Sequence, residues 1–90
     1  MKTPPFPQRA NVVTINGQAY NGTAAQIVKA MRADFRAEPT RTVAEFRERY
    51  AARALLWMKQ PVRHDSDVAF LSDLEAVGLV QITNADAGAQ

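Results

Sequence analysis

The side chains of this sequence best suited to chemistry stand together at His64-Asp65-Ser66-Asp67. They offer ligand-type atoms, but adjacent positions rarely converge on one ion, and no second His and no Cys completes a metal set. Nucleophilic acyl transfer has little to draw on either, because His64 is the single histidine and Ser66 and Ser72 are the only serines. Asp67, Asp73 and Glu75 could exchange protons in principle. A surface-type helix would carry them, however, and there carboxylates stay ionised and solvated. Gly17, Gly22 and Gly78 fall at turns and form no glycine-rich phosphate loop. The bland role for 64–67 is helix capping by Asp65 or Ser66. No catalytic residue, metal set or cofactor is therefore expected.

What stands out instead is the distribution of charge. All eleven Lys and Arg residues lie at or before Arg63; against Asp34, Glu38, Glu45 and Glu48 they leave +7 on residues 1–63, while Asp65, Asp67, Asp73, Glu75 and Asp86 leave −5 on 64–90. The net charge of +2 conceals this division. Charges so unevenly placed attract within one folded molecule, between two copies, or toward an outside partner.

With 90 residues, 47% apolar and 22% charged, the chain has the composition of one globular domain. No apolar run approaches the roughly 20 residues that span a bilayer, and the proline-rich start lacks the apolar stretch of a signal peptide, so a cytoplasmic location is expected. The absence of Cys excludes disulfides and thiolate chemistry without identifying the redox compartment.

Residues 1–11, rich in proline and without periodicity, read as an extended arm, and 83–90 as a disordered polar tail. Between them lies one domain, 12–82. Val12-Val13-Thr14-Ile15 and Gln18-Ala19-Tyr20 flank Asn16-Gly17, the pair favoured in a two-residue type I′ hairpin turn. That turn would set Ile15 opposite Gln18 and Val13 opposite Tyr20, with Val13, Ile15 and Tyr20 facing the core. Thr23 and Gln26 match a capping box opening a first helix to about Arg36, with Ile27, Val28, Met31 and Phe35 inward. Thr42 and Glu45 match a second, whose helix runs to Trp57 or Lys59 before Pro61 and turns Phe46, Tyr50, Ala54 and Trp57 inward. A third, shorter helix buries Phe70, Leu71, Leu74 and Val77, ends at Gly78, and leads to a strand at 79–82. The order is ββαααβ. An isolated hairpin is marginal in water, so the last strand should join it in a small three-stranded antiparallel or mixed sheet packed against three helices, an α+β fold.

Two residues break the helical pattern. Arg47 falls inside the second helix's apolar arc, where its stem could pack while its guanidinium reaches water or a carboxylate such as Asp73 or Glu75, or where it could bind an anion or interface. Leu56 falls on the wet face and is a candidate contact. The strongest electrostatic constellation is Lys29, Arg32 and Arg36 along the first helix, which Arg41, Arg49, Arg53 and Lys59 of the second could join. It reads either as a solvated face balanced by the acidic third helix or as a set of phosphate contacts.

Residues 66–80, SDVAFLSDLEAVGLV, resemble the recognition helix and following strand of winged-helix DNA-binding domains. The resemblance implies nucleic-acid binding, but this helix presents Asp67, Asp73 and Glu75, which phosphates repel, and the hairpin precedes the helices instead of following them. The leading expectation is a small non-enzymatic interaction module that meets a protein partner, or itself, through complementary basic and acidic faces. Its basic face would hold Lys29, Arg32, Arg36, Arg47 and Arg53, with Leu56 as an apolar contact. The alternative is a nucleic-acid-binding domain that uses the basic stripe of the first two helices. Neither a membrane nor a small-molecule substrate is implied.

Overall fold

The computed structural model describes residues 6–35 and 39–85. Their elements run β1 (Ala10–Thr14), β2 (Ala19–Gly22), α1 (Ala24–Asp34), α2 (Val43–Met58), α3 (Asp67–Ala76) and β3 (Val80–Asn84), the ββαααβ order of an α+β domain. The strands form one antiparallel sheet with β1 in the centre, in the order β2-β1-β3. Asn11 and Ala10, assigned to the arm from sequence, are the first residues of β1, and Thr83 and Asn84, assigned to the tail, close β3. The arm also has a packing role, because Phe6 lies half-buried against the core.

The hairpin departs from the expected register by one residue. Val12 pairs with Tyr20 and Val13 with Ala19, so the loop is Ile15-Asn16-Gly17, three residues long. Gly17 donates its N–H to Thr14 O at 2.9 Å, Thr14 donates to Gln18 O at 2.9 Å, and Gly17 sits at φ +90° while Asn16 stays at negative φ. This is a type I turn followed by a glycine bulge, the commonest three-residue hairpin loop, in place of the two-residue type I′ turn. A slip of one residue exchanges the two faces of a strand. Ala10 and Val12 are accordingly buried, with Tyr20 and Ile82 packed beside them, whereas Val13 and Ile15 point to solvent at 41% and 70% exposure. The outward face, which includes Asn11, Val13, Ala19, Asn21, Gln81 and Thr83, is uncharged and exposed.

Gly17→Val is expected to lower stability by about 1–3 kcal/mol, because a β-branched residue is strained at this φ. A Cβ there would meet nothing within 4 Å, so the loss, read by urea denaturation, comes from the backbone alone. An unchanged midpoint would mean that the loop does not hold Gly17 in the left-handed region. Gly22 is constrained differently. It has φ +130°, and a Cβ would come within 2.5 Å of Gln26 Oε1, the atom that accepts the Thr23 N–H and completes the α1 capping box.

α1 and α3 pack on the inner face of the sheet, and α2 packs against both of them. Thr42 and Ser66 cap α2 and α3 by accepting the Glu45 and Ala69 N–H groups at 3.0 and 3.1 Å. Ile27, Val28, Phe46, Phe70, Leu71 and Leu74 are fully buried with Val12. Phe35 at the end of α1, Phe46 and Tyr50 on α2 and Phe70 on α3 form a chain of aromatic contacts with centroids 5.3 to 5.9 Å apart, mostly edge-on. These rings join all three helices. Lys59 ends α2 in the left-handed conformation at φ 59°, and Pro61 prevents the helix from resuming.

Candidate functional site

A groove of about 430 Å³ opens between the hairpin loop, the end of α1 and the second half of α2. Ile15 and Gln18 come from the loop region, Met31 and Phe35 from the α1 end, and Tyr50 and Trp57 from α2, while Leu79 adds an apolar side chain before β3. Trp57 was expected in the core but is 57% exposed. Its direction follows the helical wheel that buries Phe46 and half-buries Tyr50. What lies beside it is the open groove, which Ile15 also lines.

One polar pair lines this groove. The Tyr20 hydroxyl donates to Asp34 Oδ2 at 2.8 Å and has Gln18 Oε1 as a second acceptor at 3.2 Å. Burial, helped by the bond to Asp34 and its charge, pushes the Tyr20 phenol up to about 12, so it remains a proton-bearing donor at neutral pH. Burial also raises the Tyr50 phenol. The groove can therefore take apolar side chains and offers one carboxylate at its edge.

Among the described residues, three of the basic side chains singled out from sequence, Arg32, Arg47 and Arg53, are engaged within the fold. Lys29 is exposed beside a shallow depression with Arg9, Asn21 and Gln26. Arg32 turns back to the connection after α1, donating to Thr40 O at 2.6 Å and Thr40 Oγ1 at 3.2 Å. Arg36 lies outside the described residues. Arg53 sits over the Phe35 ring, its Cζ 5.6 Å from the centroid. Arg47 has only 14% of its side chain exposed; it pairs with Asp67 at 2.6 Å and donates through Nε to His64 O at 3.0 Å. Its carboxylate partner is neither of the two expected, because the start of α3, and not its end, lies against this part of α2.

The acidic helix is likewise engaged within the fold. Arg63 closes on Asp73 with Nε and Nη2, both at 3.0 Å, and with its backbone N–H at 2.9 Å. These bonds, the side-chain ones foremost, hold the Asp73 carboxyl below the ordinary carboxylate range. Glu75 accepts the Ile82 N–H at 2.9 Å, which satisfies a donor on the edge strand. Two ion pairs, Arg47–Asp67 and Arg63–Asp73, therefore bridge the basic and acidic parts of the chain. Leu56 is exposed at 69%, as its place on the wheel implied.

Among the described residues, no three His, Cys, Asp or Glu side chains gather as a metal site would require, and no helix is long and apolar enough to cross a membrane. In comparisons with protein-family models, curated proteins and solved structures, nothing matches this chain.

Proposed function

We propose that the protein is a non-enzymatic interaction module of the cytoplasm, and that it binds a segment of a partner protein in the groove between the hairpin loop and α1–α2. The observation that carries this reading is the pair Ile15 and Trp57, large apolar side chains 70% and 57% exposed on the two sides of one concave surface. A monomer gains nothing by holding such groups in water, and their coincidence with a groove is the pattern of a docking site. Leu56, beside Trp57 in sequence, would extend the apolar contact.

Contact through complementary charged faces has less support. Asp67, Asp73 and Glu75 are bonded within the fold, and Arg32 and Arg47 are tied to Thr40 and Asp67. The same commitments weaken the nucleic-acid alternative, which relies on Lys29, Arg32, Arg36 and Arg53 as phosphate contacts.

Selection of a phage-displayed random peptide library against the immobilised full chain tests the proposal. Enriched peptides should lose at least about ten-fold in affinity for Ile15→Asp, since a desolvated carboxylate at the groove wall opposes apolar contact. They should bind Gln81→Asp, on the outward sheet face, as they bind the parent. Ile15 is mostly in water, so its variant should melt with the parent protein. Peptides indifferent to Ile15→Asp, or a dimer that forms at low salt and dissolves as salt rises, would overturn the groove reading and return the contact to the charged faces.

A further inference from the structure

Among the described residues that line the groove, Asp34 is the one acidic or basic side chain. This is an unexpected sign, because the first 63 residues, which supply all but one of the lining side chains, carry +7. Asp34 is also the last residue of α1, where the aligned peptide dipoles leave partial negative charge and disfavour a carboxylate. No ion pair joins it to a described cation; its contact is the Tyr20 hydroxyl. Four aromatic residues, Tyr20, Phe35, Tyr50 and Trp57, line the same space. Ring faces attract cations, and Arg53 already occupies such a position over Phe35 without itself lining the groove.

We infer that the groove selects a partner segment in which a Lys or Arg is flanked by apolar side chains, with Asp34 as the counter-ion and the aromatic walls holding the apolar stem of the cation. The inference rests on the groove reading proposed above. Two features place negative charge at one end of a cleft whose other described lining residues are apolar or uncharged, the carboxylate and the helix C-terminus, and charge complementarity gives them a positively charged occupant. A volume of about 430 Å³ suits one or two side chains, which is the scale of a short linear segment.

Three capped peptides, Ala-Leu-Xaa-Leu-Ala with Arg, Gln or Glu at the centre, are titrated separately into the isotope-labelled full chain, and affinities are read from amide shifts of the groove residues. The Arg peptide should bind at least about ten-fold more tightly than the Glu peptide, with Gln between them. Asp34→Asn keeps an acceptor for the Tyr20 phenol and removes the charge. It should bring the three affinities within about two-fold of one another and leave the melting temperature unchanged. Equal binding of the three peptides by the parent chain would overturn the cation preference while leaving the groove reading in place. An Arg preference that survives Asp34→Asn would place the counter-charge elsewhere and also overturn it. If no peptide shifts groove resonances, both readings fail, and concentration-dependent shifts without peptide would give the groove to a second copy of this chain.

Discussion

Phe70→Ala is expected to lower the free energy of unfolding by about 3–5 kcal/mol, through lost transfer energy and the cavity left behind. Phe70 is fully buried on α3 and touches Phe46 and Tyr50 edge-on, with centroids 5.9 and 5.8 Å away. No other ring of α3 can replace it, so truncation uncouples α3 from α2 as well as emptying space. A small domain has a total stability of about 5–15 kcal/mol, and a loss of this size should lower the melting temperature by more than about 10 °C. A variant that melts within about a degree of the parent would show that α3 is not packed through this ring.

The second large effect is expected from Asp67→Ala. Removing the carboxylate leaves the Arg47 guanidinium, 14% exposed, without its anionic partner, and removes the acid that the first turn of α3 favours. A loss of about 2–3 kcal/mol is predicted, since breaking a largely buried pair strands one charge. Arg47→Met in the same background should restore more than half of it, because the apolar stem packs as before and no unpaired charge remains. Urea denaturation of the two single variants and the double variant measures this coupling. Additive losses would mean that Arg47 and Asp67 do not act on each other in solution.

Most of the helical structure is legible in the sequence because its signals are local. Thr23 with Gln26, Thr42 with Glu45, and Ser66 each place an oxygen within reach of an N–H three residues on, and the structure uses all three. The hairpin register is not local in this sense. Asn16-Gly17 is compatible with either a two-residue or a three-residue loop, and the choice turns on which face of β1 is buried. Pairing with β3 decides it, since Val12 lies opposite both Tyr20 and Ile82, so one register turns all three inward. The groove was hidden for the same reason. A helical wheel gives the direction of Trp57 but not what stands across from it, and a two-residue turn puts Ile15 on the core face of the ribbon. Arg47 announced itself by polarity within an apolar arc, whereas its partner depended on how α2 and α3 cross. The attachment of Arg32 to Thr40 depends on the path of the chain between α1 and α2, for which the sequence carries no periodic signal.

Trp57 is the only tryptophan in the chain, and its fluorescence therefore reports the groove directly. The decisive measurement is quenching of that emission by acrylamide, first in the free protein and then as a groove-binding peptide is added. The account predicts red-shifted, readily quenched emission in the free protein, moving to shorter wavelength and becoming protected as the peptide saturates, with no such change in Ile15→Asp. Blue-shifted, quench-resistant emission in the free protein would contradict it, since Trp57 would then lie in the core and the groove would be closed.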